Sequence, residues 1–520
     1  MKRKIVSLLL VLAMLATSLL LATSCVGNGP AGELSEFEFD TSKPVTITFY
    51  HTMGESLRAV LDKHIAKFNE LYPNITIEHK QVGGYDDVRE QIKTEITVGD
   101  QPNIAYCYPD HVALYNLALA VQTLDDLIAA TNTVTRADGT TEQLGLTQAQ
   151  IDNFIDGYYN EGKQFGDGKM YTLPMSKSTE VLYYNKTFFD VCNKIYASDI
   201  ELNANGEPVY VTDENGEFVL DAEGNKQTKP NPLKGNENYN LSVPTTWDEL
   251  KAVCAKIKAI DPESIPLGYD SESNWFITMC EQLGTPYTSA TGEHFLFDNE
   301  DNHAFVKEFR EWYKAGYVTT QEISGGYTSA LFTKNPAEAG NCYMCIGSSA
   351  GANHQIPKND DGTYKFEVGI ASVPQANKEA PKVISQGPSI CIFKKADSQE
   401  VLASWLFVKY LTTTVDFQAE FGMTSGYVPV LENVTDNAVY AEELEHANGY
   451  EGLPLLATKV CLEQANAYYT SPAFNGSSAA RDEVGKLMQI CLTTTEADID
   501  AAIKKAFADA VAECKYQAGE

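Results

Sequence analysis

The strongest constraint on this chain lies in the order of patterns over residues 45–108. "VTITFYH" (45–51) alternates apolar and polar residues, as a strand with one buried face does. "SLRAVLDKHIAKFNELYP" (56–73) spaces its apolar residues three and four apart and stops at Pro73, which predicts an amphipathic helix. "ITIEHK" (75–80) is a second strand, "DDVREQIKTEITVG" (86–99) a second helix halted by Gly99, and "NIAYCY" (103–108) a third strand. Strand, helix, strand, helix, strand requires a parallel sheet with crossover helices. Ligands bind at the C-terminal ends of such strands. Here those ends carry His51-Thr52-Met53, Gly83-Gly84-Tyr85 and Pro109-Asp110-His111. At 520 residues the chain is too long for one core and long enough for two lobes.

A second α/β region follows. "VLYYNKTFF" (181–189) reads as strand into helix, and Thr246-x-x-Glu249 is a capping box that opens "WDELKAVCAKIKAI". "NHAFVKEFREWYKAG" (302–316) is a helix with a glycine stop. "FEVGIASVP" (366–374) and "ISQGPSICIFKK" (384–395) read as strands. Asp397 with Glu400 starts the helix "SQEVLASWLFVKYLTT", and Thr495 opens a last helix to about Cys514. Residues 193–241 read as an insert. "NGEPVYVTDE" and "NGEFVLDAEG" form an approximate repeat with Asn-Gly turns, the signature of a β-hairpin arm. Its acidic residues lack the ligand spacing of a calcium loop.

The N-terminus has Lys2-Arg3-Lys4, an apolar run over 5–21, then Ala22-Thr23-Ser24 before Cys25. A basic start, an apolar middle and a small-residue exit describe a secretory signal peptide over 1–24; a permanent membrane helix is the alternative. Small residues directly before a cysteine resemble the lipobox of bacterial lipoproteins. That resemblance implies lipidation of Cys25, a tether over 25–43 and an extracytoplasmic, membrane-anchored protein. The match is imperfect, since Ala22 stands where Leu is usual. The other cysteines are scattered and read as buried thiols; Cys342-x-x-Cys345 has no second pair or histidine at ligand spacing, so no metal site is assigned. A formal net charge of −32 argues against nucleic acid, which is held by neutralising its phosphates.

The sequence has no Gly-x-Ser-x-Gly elbow, phosphate loop or His-Glu-x-x-His. A carboxylate pair of hydrolytic spacing cannot be located in sequence, so a secreted glycoside hydrolase stays open as an alternative. The loops instead offer aromatics, hydroxyls and an isolated arginine, which suit a binding cleft. "FYHTMGESLRAVLDKHIAKFNELYPNITIEH" resembles the opening of the family 1 extracellular solute-binding proteins, the substrate receptors of ABC importers. The resemblance recurs in order through "GGYDDVREQI", "STEVLYYNK", "TTWDELKAVCAKIK", "IGSSAG", "SQGPS", "TSGYVPV" and "SSAARDEV", and is nearest to the branch that binds glycerol phosphate.

The resemblance implies a two-lobed, periplasmic-binding-protein-like α/β fold of the maltose-binding-protein type, with a hinge of crossing strands. Residues 44–179 and 390–430 would form one lobe, and 180–389 with 431–520 the other, with crossings near Ser178–Val181, near Ser385–Ile390 and after Val430. It implies a monomer without cofactor or enzymatic activity that passes a small solute, either a sugar or a polyol phosphate, to ABC permease subunits. A sensor that signals to a membrane kinase would use the same closure. Carried over residue by residue, it implies a ring face and hydroxyl from Tyr85, a hydroxyl from Ser178, a stacking floor from Trp275 and a close-approach turn at Ser348. It also implies a backbone N–H from Gly387, a ligand tyrosine at Tyr427 and a phosphate-binding Arg481. The family's acidic contact aligns with Pro109, so Asp110 would take its place one residue along. Pro388 and Gln386 replace smaller residues, and the insert has no counterpart. A neutral saccharide therefore competes with a phosphate as ligand.

Overall fold

The computed structural model describes residues 34, 37–335 and 338–520. The leader, Cys25 and most of the tether lie outside the described residues. In chain order the strands are β1 (Val45–His51), β2 (Ile75–Gln81), β3 (Ile104–Cys107), the small pair β4 (Thr133–Thr135) and β5 (Thr141–Gln143), β6 (Thr172–Pro174), β7 (Ser178–Asn185), β8 (Leu267–Tyr269), β9 (Val318–Thr320), β10 (Met344–Ser348), β11 (Val368–Ser372), β12 (Val383–Gln386), β13 (Ser389–Ile392) and β14 (Tyr468–Tyr469).

Strand β1 buries Val45, Ile47, Phe49 and His51 on one face, as its alternation requires. It pairs in parallel with β2 and β3 across the crossover helices Glu55–Leu71 and Tyr85–Ile96. The first sheet runs β2-β1-β3-β13-β6, and the second β14-β12-β7-β10-β8-β9 with β11 also on β7. Under the first sheet pack Phe49, Leu61, Phe68, Trp405 and Phe407; around the second pack Leu182, Leu250, Trp275, Phe309 and Phe507. The helix Ser398–Thr413 is buried on nearly all sides, consistent with its continuous apolar composition.

The chain passes between the sheets at two strand junctions. Met175–Lys177 links β6 in the first sheet to β7 in the second, and Gly387-Pro388 links β12 back to β13. The segment read as one strand over 384–395 is thus two strands in different sheets. The break falls where proline removes a backbone donor and Gly387 takes a φ of 90°. A third segment runs alongside them, with the Lys177 and Val428 amides each donating to the other's carbonyl.

Two boundaries also differ from the sequence reading. The second crossover helix ends at Ile96, with Gly99 closing the following turn at a φ of 75°. The last helix is Ile499–Ala518, opened by Asp498, whose carboxylate accepts the Ala501 N–H at 3.0 Å; Thr495 lies before it.

The insert is more regular than one hairpin. Three tight turns, at 203–207, 213–217 and 221–225, each place an Asn or Asp carbonyl or carboxylate oxygen on two backbone N–H groups. Between them the backbone closes in rings: Val209 N–H donates to Glu201, Glu201 to Lys229 and Lys229 to Val209. Val211, Gln227 and Val219 repeat the cycle. Asn193 ties the base by bonding both backbone groups of Leu241, at 2.8 and 2.9 Å.

Candidate functional site

Between the two sheets lies a cleft with two adjoining cavities of about 530 and 420 Å³, both reached by Tyr85 and Tyr108. A larger groove of about 730 Å³ runs between the helices Ser477–Thr493 and Ile499–Ala518, but its wall is alanines, Leu487, Ile490, Thr494 and charged side chains, with no aromatic ring. The interlobe cleft has the aromatic walls and inward-aimed polar atoms expected of a ligand site.

The first wall is built at the C-terminal ends of the parallel strands. Gly83 takes a φ of 36°, and a Cβ there would lie 2.1 Å from the Asp87 carboxylate that caps the Gly84 N–H. This turn starts the helix at Tyr85 and points its ring into the cleft. The Tyr85 ring lies 4.6 Å from that of Tyr108, and its hydroxyl is 3.2 Å from the hydroxyl of Tyr427. Burial raises both the Tyr85 and Tyr427 phenols, so they stay neutral hydrogen-bonding groups. Asp110, on the first turn of the helix Pro109–Tyr115, accepts from the Ser478 hydroxyl at 2.8 Å. Burial pushes its carboxyl up, but His111, Arg481 and the Ser478 hydrogen bond together hold it below the usual range.

The second wall is polar. Ser178 and Glu180 face the cavity from β7, and Ser348 lies directly across from Glu180 on β10. The Ser348 hydroxyl caps the short helix Ser349–Gln355 by accepting the Ala350 N–H at 3.2 Å. Arg481 donates to Asn274 Oδ1 at 2.6 Å, and the same oxygen accepts from Gln386 Nε2 at 3.1 Å. Asn274 lines the same cavity as Glu180, whose carboxylate accepts from the Tyr269 hydroxyl at 2.7 Å.

The structure therefore gathers Tyr85, Asp110, Ser178, Ser348, Tyr427 and Arg481 around one cleft. Trp275 is a correction to the sequence reading. It is fully buried in the second core, 4.9 Å from Tyr269 and 4.1 Å from Phe309 between ring centroids, so it offers no floor to a ligand. Its helix, Glu272–Leu283, presents Asn274 to the cleft and the next residue to the core. Gly387 stands at the strand junction behind the cleft, where a Cβ would come within 2.7 Å of Lys177 Cα and Ser176 O. Gly387→Ala is expected to cost more than about 1 kcal/mol in urea unfolding, from both the positive φ and the close approach.

Sequence reasoning missed Glu180, Asn274, Gln386 as an amide donor, and Tyr327, an exposed ring at the mouth of the cavity. Glu180 had a local signal: it sits two residues after Ser178, on the same strand face. Asn274 and Tyr327 had none. The ten cysteines among the described residues are all buried free thiols. Burial raises Cys345 well above the usual thiol range, which leaves it a poor nucleophile or metal ligand.

Comparison with known proteins adds four findings. The family profile described as "Bacterial extracellular solute-binding protein" matches residues 63–448. The sn-glycerol-3-phosphate-binding periplasmic protein of Escherichia coli K12 is 22% identical over 431 residues, covering 81% of this chain and 80% of the relative. Among solved structures, UgpB of Mycobacterium tuberculosis in complex with glycerophosphocholine superposes with a TM-score of 0.63 at 15% identity, over 91% of this chain and 98% of that one. The maltose/maltodextrin-binding domain of Bdellovibrio bacteriovorus bound to maltotriose gives 0.60 at 17% identity, over 92% and 100%. At these identities the structural likeness establishes the two-lobed fold.

Proposed function

Because this chain belongs to the bacterial extracellular solute-binding proteins, we propose that it is the substrate-binding protein of an ABC importer. It captures a sugar or an sn-glycerol-3-phosphate-like solute between its lobes and performs no chemistry on it. One observation carries this reading: an aromatic wall of Tyr85, Tyr108 and Tyr427 faces hydroxyl, amide and guanidinium groups across a cleft between two sheets joined by strand crossings. Aromatic faces stack on the C–H faces of polyols, while Ser178, Ser348, Asn274 and Gln386 read hydroxyl groups. Ligand contacts on both walls favour the closed form, and lobe closure about the Met175–Lys177 and Gly387-Pro388 crossings gives the permease a shape to recognise. The partners are permease subunits, and a lipid on Cys25 holds the monomeric receptor at the outer face of the membrane.

Isothermal titration with maltose, maltotriose, sn-glycerol 3-phosphate and glycerophosphocholine tests the reading, with small-angle scattering on each mixture. One ligand class is expected to bind and shrink the radius of gyration, with Tyr85→Ala weakening it about tenfold or more, as for loss of a stacking and hydrogen-bonding ring. Turnover of any of these compounds, or absence of binding to all of them, would overturn it.

A further inference from the structure

Glu180 stands where an anion would have to sit. It shares a strand face with Ser178 and lies opposite Ser348 in the β7–β10 register, so the two hydroxyls suited to a phosphate flank its carboxyl. Arg481, the cation suited to the same phosphate, is one side chain away: it donates to Asn274 Oδ1 at 2.6 Å, and Asn274 lines the inner cavity beside Glu180. An anion held by Ser178, Ser348 and Arg481 therefore meets Glu180 as well.

The surrounding charges do not relieve that conflict. Besides tyrosines, the ionisable side chains that line the inner cavity are Glu180, Asp270 and His354, and Arg481 lines the adjoining cavity. Tyr269 on β8 hydrogen-bonds Glu180, and Asp270 just after it, Tyr469 on β14 and Arg481 on the helix Ser477–Thr493 lie within electrostatic reach. The Tyr269 hydroxyl, at 2.7 Å, holds the carboxyl in place, and the residue is 2% exposed. Two negative groups held side by side disfavour each other's charge, and a proton on the carboxyl relieves the repulsion.

Resting on the receptor reading above, we propose that Glu180 selects ligands by charge. A neutral polyol is bound with the carboxylate as hydrogen-bond acceptor, whereas an anionic ligand enters only together with a proton that Glu180 takes up. The direction of its titration agrees: burial pushes the carboxyl up to about 7, against the opposing pull of Tyr269, Asn274 and Arg481.

The test is calorimetric titration of sn-glycerol 3-phosphate into the purified protein and its Glu180→Gln variant from pH 6 to pH 8, in buffers of differing ionisation enthalpy. The variant keeps the hydrogen-bonding shape, and both proteins see the same second ionisation of the phosphate. Wild-type affinity is expected to fall about tenfold more than that of the variant over this interval, as one linked proton requires. Proton uptake should appear at pH 8 in the wild type and vanish in Glu180→Gln. Tyr269→Phe removes a donor to the carboxylate and should move the wild-type midpoint to higher pH. Equal pH slopes in both proteins, or no anion binding to either at any pH, would overturn the proposal. A parallel titration with maltotriose separates the two readings: sugar binding alongside either failure leaves the receptor standing, and no binding of any ligand removes both.

Discussion

Lys177→Met is expected to lower the unfolding free energy by about 3–5 kcal/mol, a large part of what a domain has to lose. Lys177 is wholly buried at the first crossing between the sheets, where its ammonium pairs with the buried Glu161 carboxylate. It also donates to the Ser389 hydroxyl at 3.0 Å and the Gly387 carbonyl at 3.4 Å. One side chain thus ties the first crossing to the second and to the helix Asp156–Glu161. Removing it leaves the Glu161 charge stranded without water or counterion, and that stranded charge accounts for most of the loss. The double variant Lys177→Met/Glu161→Gln, which removes both charges, should recover much of it. Urea unfolding of the three proteins measures this. A single variant as stable as the wild type would show that the pair contributes nothing to stability.

Trp275→Ala is expected to be about as costly, about 3–5 kcal/mol, but for an apolar reason. The indole lies between Tyr269 and Phe309, and its removal leaves a void that neighbouring rings can fill only in part. Trp275→Phe should lose less stability and keep ligand affinity unchanged, because the side chain does not reach the cleft. A Phe variant of normal stability with weakened binding would restore the ligand-stacking role that the family resemblance implies.

Where a sequence signal depends on local period, it translated directly into structure. The alternation in 45–51 is β1 residue for residue, and the Thr246–Glu249 capping box opens the helix Trp247–Ile260 with both reciprocal hydrogen bonds in place. Gly83-Gly84-Tyr85 and Pro109-Asp110 also sit at the ends of the parallel strands, as the crossover pattern requires. Signals that depend on what lies opposite were not legible. Trp275 and Asn274 are neighbours on one helix, and only the packing of that helix decides which meets the core and which meets the cleft. The Lys177–Glu161 pair joins residues whose attraction is set by the fold, so neither announces itself as buried. The run 384–395 has strand composition throughout, and periodicity alone does not say that its two halves belong to different sheets.

The insert, finally, bears on how such a chain can change over generations. Its rings of backbone hydrogen bonds are satisfied internally, and its base is clasped by Asn193, bonded to Leu241, and by Lys256, bonded to the Asn240 carbonyl. Extra length closed off in this way adds little entropy cost to the host, because closure cost grows only slowly with loop length. Natural selection can therefore lengthen, trim or decorate this appendage at its turns while the cleft stays under separate selection for its ligand.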